Sequence, residues 1–370
     1  MSNNNYAATE ADPEAEEPTW PELLGSNNWE GLLDPLNLSL RKLVLRCGDL
    51  IQCTYDTFIN DENSKYCGSS RYGKASFFNK VMFEAASDYQ VVAFLYATAR
   101  VGHREAFFFH SQSRESWDRE SNWIGYIAVT TDEASSALGR REIYVAWRGT
   151  TRNYEWIDSQ FTKTSARVQL LTKIKGLIKQ YQDEKVSVTL VGHSLGASLS
   201  VLSAFDLVEN GVSDIPVSAI VFGCPQVGNK AFNQRFKSYP NLNVLHVRNT
   251  IDLIPHYPGH LLGFVDTGIE LVIDTRKSPS LKDSKHPGDW HNLQAMLHVV
   301  AGWNGKEKDF ELKVKRSLAL VNKSCEFLKD ECLVPGSWWI EKNKGMVRDE
   351  KGDWVLAPPD DEDLPVPEEY

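Results

Sequence analysis

Val186-Ser187-Val188-Thr189-Leu190-Val191-Gly192-His193-Ser194-Leu195-Gly196-Ala197-Ser198-Leu199-Ser200 changes character twice. Its first six residues are mostly β-branched or apolar and read as a buried strand. From Ala197 onward, through Val201, Leu202, Ala204 and Phe205, it reads as a helix of small and apolar residues. Between the two lies Gly192-His193-Ser194-Leu195-Gly196, a G-x-S-x-G pattern in the strand–turn–helix setting that a nucleophile elbow requires. The five-residue pattern alone arises by chance in roughly one chain in ten of this length, so the flanking strand and helix carry the weight. The glycines have a physical reason. A Ser whose hydroxyl projects above a sheet sits on a strained turn, and side chains at Gly192 and Gly196 would collide across it. The helix start behind Ser194 aims backbone N–H groups at any negative charge that develops there. The competing reading is a tight strand-to-helix turn with an incidental Ser.

Around this stretch the rhythm is α/β. Ile124–Val129 and Glu142–Trp147 read as strands, and Ala166–Tyr181 as an amphipathic helix. Val217–Phe222 and Asn243–Val247 read as strands, with Ile269–Ile273 as a further one near the sheet edge. Asp289–Ala301 and Asp309–Leu328 read as helices, and so does the segment from Ser39, a candidate N-cap, to Tyr55, which needs only a core-facing role. Asp88–Ala99 is either the first strand or a short helix. Alternating apolar strands and helices predict an α/β fold with a mostly parallel sheet covered on both faces. Trp338, Trp339 and Trp354 are expected to pin the loop-like C-terminal region to the body. Residues 1–18 and 358–370 read as acidic tails, with 19–357 as one domain.

Composition narrows the function. The chain has 370 residues, 42% of them hydrophobic, and a formal net charge of -10. That balance argues against nucleic acid and against broad electrostatic docking on anionic membranes. No run of about 18 apolar residues is present, so no transmembrane segment is expected. The N-terminus has neither the basic and apolar regions of a secretory signal nor the acid-poor composition of a transit peptide. The six Cys show no zinc spacing and fit free thiols in a reducing compartment. Together these predict a cytoplasmic protein, with no metal and no cofactor.

A Ser nucleophile needs a base, and the base an orienting carboxylate, in the chain order Ser, Asp, His for this topology. Asp252 lies just past the strand ending near Val247, in Arg248-Asn249-Thr250-Ile251-Asp252-Leu253-Ile254-Pro255. Turn chemistry alone would make it the cap of a short helix before Pro255. Of the nine His, His103 and His110 precede the elbow, His193 points away from its neighbour, and His246 reads as core. His256 and His260 crowd Asp252 in sequence. His291, where a loop enters a helix, ranks first as base, ahead of His298 and His286. The oxyanion hole needs two N–H donors. Leu195 supplies one, and the loop Arg148-Gly149-Thr150 has the form to supply the other at Thr150. Tyr154, Trp156, Ile157 and Phe161 follow at once, as either a lid opening onto lipid or a helix packed on the sheet.

Tyr144-Val145-Ala146-Trp147-Arg148-Gly149-Thr150, the elbow, Arg248–Pro255 and His291-Asn292-Leu293-Gln294-Ala295-Met296-Leu297-His298 together resemble the class 3 (fungal-type) lipases, and within them the plant phospholipase A1-II branch. The opening Trp20-Pro21-Glu22-Leu23-Leu24-Gly25 and the ending Asn343–Leu356 are similar to that branch as well. The resemblance implies an α/β-hydrolase core and a triad of Ser194, Asp252 and His291, with Thr150 and Leu195 as oxyanion donors. It also implies hydrolysis of acyl esters, typically at the sn-1 position of phospholipids, in transient contact with a membrane or lipid-droplet surface. Trp147 stands where the fungal lipases more often carry Phe. Two other readings share the residues: a lipase or esterase for neutral glycerides or small esters, and a catalytically silent lipid-binding protein.

Overall fold

The elbow strand occupies the middle of a seven-stranded sheet ordered β1-β2-β3-β4-β5-β7-β9. The strands of this sheet are β1 (Tyr89–Ala99), β2 (Glu120–Thr130), β3 (Arg141–Trp147), β4 (Val186–His193), β5 (Val217–Phe222), β7 (Leu242–Asn249) and β9 (Ile269–Ile273). Two-residue strands β6 (Gly228–Asn229) and β8 (Phe264–Val265) pair beside it, and β10 (Met346–Arg348) pairs with β11 (Trp354–Leu356). The structure is a computed structural model describing residues 17–61, 63–99, 120–149, 165–339, 346–348, 350 and 354–356.

From β3 to β9 the neighbours run parallel, and β1–β2–β3 form an antiparallel wing. The helices are α1 (Trp20–Leu23), α2 (Leu38–Thr57), α3 (Phe77–Lys80), α4 (Asp132–Leu138), α5 (Ala166–Gln180), α6 (Leu195–Glu209), α7 (Lys230–Phe236), α8 (Pro287–Trp290) and α9 (Leu293–Gly302). Side-chain alternation along the strands sends Val188, Leu190, Val217, Ala219 and Val221 toward α5 and α6. Val191, Ile220, Phe222, Leu245 and Val247 face α2 and α9. This is the two-faced parallel sheet that the apolar runs predict, and it is an α/β-hydrolase arrangement.

Register matters most for function. Trp147 pairs with Gly192, Gly192 with Val221, and Val221 with His246. The C-terminal ends of β3, β4, β5 and β7 are therefore level, and everything that follows each strand emerges along one edge. Ligand sites of open α/β sheets collect there.

Three sequence expectations need correction. Asp309–Leu328 is not an α-helix: only Leu318–Lys323 winds, as a 3-10 turn. Its polar residues are drawn into tertiary bonds. Arg316 reaches Asp49 and Gln294, Asn322 Oδ1 accepts from the Phe327 and Leu328 N–H groups, and Lys323 pairs with buried Asp56. The N-cap of α2 is Asn37 rather than Ser39, its side chain accepting from the Ser39 and Leu40 N–H groups. Asp289–Ala301 is two helices broken at His291-Asn292, where Asn292 caps the second. Asp88–Ala99 resolves to strand β1. Trp338 and Trp339 do pin the C-terminal region, donating to the Ala319 and Asp56 carbonyls.

Candidate active site

Ser194 sits between β4 and α6 with φ 59° and ψ -127°. Such a conformation is sparsely populated for a residue with a side chain, and the surroundings enforce it. The Ser194 N–H donates to the Phe222 carbonyl at 3.0 Å. A Cβ on Gly192 would meet the Gly196 carbonyl, and the Ala197 nitrogen at 2.6 Å. A Cβ on Gly196 would strike the Trp147 carbonyl. The elbow thus requires both glycines, the first across the turn as expected and the second against the end of β3. The Leu195 N–H finds no acceptor among the described residues, as the first turn of a helix leaves its donors open.

Asp252 lies three residues past the end of β7 and is 1% exposed. Its Oδ1 accepts from the Ile254 N–H at 3.0 Å, and its Oδ2 accepts from His291 Nδ1 at 2.6 Å. The two oxygens are engaged separately, Oδ1 in the turn cap and Oδ2 by the imidazole. A carboxylate can only accept here, so Nδ1 carries the proton and the Nε2 lone pair is bare. Nε2 is buried and has no partner among the described residues.

His291 is gripped through its backbone too. The side chain of Asn249, the last residue of β7, donates to the Trp290 carbonyl at 2.8 Å. His193 Nε2 donates to the His291 carbonyl at 2.8 Å, so its Nδ1 accepts from the Tyr55 hydroxyl, also at 2.8 Å. The two imidazoles are in contact, tilted 32° to each other with centroids 4.5 Å apart. Burial first, and the His291 ring second, hold His193 well below its ordinary range, so it stays neutral beside the second imidazole.

That carbonyl contact depends on the helix break. In a continuous helix the His291 carbonyl would accept from Ala295. Instead the Asn292 side chain accepts the Ala295 N–H at 2.9 Å and leaves the carbonyl to His193.

Gly223, one residue past β5, takes φ +54° and passes under the His–Asp pair. A Cβ there would lie 2.6 Å from His291 Cε1, 2.9 Å from Nδ1 and 3.1 Å from Asp252 Oδ2. On the other side of the elbow, Arg148 stacks over Phe58 at 3.7 Å and donates to the Gly149 carbonyl at 3.0 Å. A Cβ on Gly149 would meet the Tyr55 hydroxyl, and the His193 carbonyl at 2.6 Å. Thr150, the expected second oxyanion donor, and the lid candidates Tyr154, Trp156, Ile157 and Phe161 lie outside the described residues.

The runner-up bases are elsewhere. His298 is buried against Ser278, 2.8 Å away, and burial with nearby Arg316 pushes it down to about 4. His286 caps the Gly288 N–H. His246 accepts from the Cys224 N–H at 2.9 Å, and burial pushes it down to about 4. Tyr55, His193, Asn249 and Gly223 are the site residues that sequence reasoning missed. Asn249 and Gly223 carried one signal: each lies at the C-terminal end of a parallel strand.

A parallel sheet carrying a Ser on a strained turn at the end of its central strand is an α/β-hydrolase. Comparison with known proteins narrows the class. The description Lipase (class 3) matches residues 159–262. The chain is 60% identical to phospholipase A1-IIdelta of Arabidopsis thaliana over 95% of its own length and 98% of that protein. It is 50% identical to phospholipase A1-II 5 of Oryza sativa subsp. indica, over 94% of this chain and 84% of that one. Among solved structures it is similar to a lipase from Rhizopus microsporus var. chinensis, at 20% identity and a TM-score of 0.41, over 65% of this chain and 76% of that one. The chain belongs to the class 3 lipase family, among its phospholipases A1-II, and is a lipid ester hydrolase.

Proposed function

We propose that the protein is a phospholipase A1 that releases the sn-1 fatty acid of phospholipids through Ser194, His291 and Asp252. The observation that carries the triad is the 2.6 Å Asp252–His291 pair, which leaves a bare Nε2 on the sheet edge where Ser194 is presented. Ser194 Oγ attacks the ester carbonyl carbon as Nε2 takes its proton. The Leu195 N–H, and Thr150 with it, receive the oxyanion. Collapse expels the lysophospholipid alkoxide, which takes the proton back from His291. Water, deprotonated in turn by His291, then releases the fatty acid from Ser194. The substrate reading draws on the 60% identical relative named a phospholipase A1. Access to it requires passing contact with a lipid surface. Free thiols at Cys47, Cys53 and Cys224 suit a reducing cytosol.

Phosphatidylcholine labelled differently at sn-1 and sn-2, given to wild type and Ser194→Ala, tests the proposal. Wild type should release the sn-1 chain, and the variant should lose roughly five to six orders of magnitude in rate. Release of the sn-2 chain overturns the positional reading. Cleavage of a monoacylglycerol but not of phosphatidylcholine overturns the phospholipid reading in favour of neutral glycerides. An active Ser194→Ala variant overturns the triad.

A further inference from the structure

Immediately after Asp252 the chain does something a soluble fold ordinarily avoids. Ten large hydrophobic side chains are exposed among the described residues, and four of them, Leu253, Tyr257, Leu261 and Leu262, fall within ten consecutive positions. Leu261 is 104% exposed and Leu262 70%. Singly exposed apolar residues are ordinary, but four within ten residues of chain directly following Asp252 mark a surface meant to be covered. Between Asp252 and Asp266 there is no Lys, Arg, Asp or Glu.

The loop is not slack. The Gln226 N–H donates to the Tyr257 carbonyl at 2.7 Å. The Gln226 side chain accepts from the Gly259 N–H at 3.1 Å and donates to Asp266 at 2.9 Å. His260 Nδ1 donates to the Phe264 carbonyl across the tip. A buried Gln on the neighbouring strand-end loop therefore clamps the segment with its leucines outward, so little further ordering is needed on docking.

We propose that Leu253–Leu262, with Leu261 and Leu262 at its tip, is the wedge by which the enzyme seats on a phospholipid surface. The inference rests on the phospholipase reading and adds the element that holds the site against the lipid. Two arguments favour a bilayer over a protein. Four side chains present roughly a few hundred Å², against about 800 Å² per partner in a stable protein interface, whereas interfacial anchoring needs only a few apolar side chains inserted among the headgroups. Charge-free sequence with a Tyr also suits the headgroup boundary, and the net charge of -10 leaves apolar insertion rather than attraction to anionic lipid.

The test uses vesicles of diether phosphatidylcholine, which lacks the ester and so reports docking without hydrolysis. The full chain carrying Leu261→Ser and Leu262→Ser should partition about tenfold or more weakly than wild type, with turnover of a water-soluble short-chain ester unchanged. Leu312→Ser is the control. Leu312 is 49% exposed, and its neighbours Glu311 and Lys313 bond to the C-terminal end of α9, the end away from His291. It should partition like wild type. Unchanged partitioning of the double variant overturns the proposal, as does an equal loss in the control. So does a parallel loss of soluble-ester turnover, which would make the loop part of the site itself. A double variant that alters oligomeric size while docking as before overturns it in favour of a second copy. If the diether vesicles bind wild type but diacyl phosphatidylcholine is not cleaved, the phospholipase reading fails and the wedge stands.

Discussion

Gly223→Ala places a single methyl under the His291–Asp252 pair, and its cost follows from the distances. The new Cβ would stand 2.6 Å from His291 Cε1 and 3.1 Å from Asp252 Oδ2. Carbon–carbon contacts settle at about 3.5–4.0 Å, so the imidazole must retreat by about 1 Å. Retreat is resisted by the packed His193 ring and by the two carbonyl grips at Trp290 and His291. The ring must tilt, and its bond to Asp252 lengthens. A misplacement of about 1 Å costs about a hundredfold in rate, equivalent to about 2.7 kcal/mol at the barrier. The left-handed φ of +54° adds strain of about 1–3 kcal/mol to the fold. The assay is kcat/KM on a short-chain ester, with the rate of Ser194 labelling by a fluorophosphonate and the thermal midpoint measured in parallel. Both rates should drop about a hundredfold while the midpoint falls by only a few degrees. Rates within about threefold of wild type in a folded variant would refute the reasoning, because His291 would then not need the position it occupies.

Three further outcomes are expected. Asn292→Ala removes the cap of α9, costing about 1 kcal/mol of stability; it also frees the Ala295 N–H to compete for the His291 carbonyl, so kcat should fall further than the lost stability explains, and Asn292→Asp should restore both. His246 and His298 are held down to about 4 by burial, whereas an unfolded His binds its proton at 6.5. The unfolded state therefore takes up more protons below 6.5, so stability is full above that pH and declines toward 4 by up to ~1.4 kcal/mol per pH unit for each group; denaturation midpoints from pH 7 to 4.5 should show the decline, and His298→Gln should reduce its slope. Asp56→Asn strands the buried Lys323 ammonium that also lies 4.4 Å over Trp339, so a loss of about 3–5 kcal/mol is expected, largely recovered in the Asp56→Asn, Lys323→Met double variant by the same denaturation measurement.

The strands were readable because their chemistry is local: β4 and β5 are mostly β-branched or apolar, and a sheet buried on both faces accommodates them. Ser194 was readable for the same reason, since strand, turn and helix adjoin in sequence. Asp252 and His291 needed an ordering rule, and the neighbouring Asp252 Oδ1 cap shows why turn chemistry alone could not separate the two readings. The misread helix at 309–328 failed where local periodicity lost to distant polar partners, notably Asp49, Gln294 and Asp56. Tyr55 is the clearest gap. On its own helix it is one more core-facing aromatic, and only the packing of α2 across the end of β4 brings its hydroxyl to His193. Gly223 gave no signal beyond its place after a strand, because the atoms it makes room for come from residues 252 and 291.

Each piece of the site occupies a departure from regular structure, and the departures are coupled. Ser194 holds a positive φ because a helix must start abruptly after β4. Gly223 holds another because the His–Asp pair passes over the end of β5. His291 stands at a helix break, and only that break leaves its carbonyl open to His193, whose other ring nitrogen is engaged by Tyr55. His193, the elbow residue beside Ser194, thus holds the backbone of His291 from the strand that carries the proposed nucleophile. A shift of β4 relative to α8 and α9 would move Ser194 and the His193 grip together. The relative placement of Ser194 and His291, the proposed nucleophile and base, is therefore fixed by a short bonded path rather than by the whole length of the intervening chain. Local strain tolerated at two strand ends and a break between two helices yields a rigid site on an otherwise regular sheet.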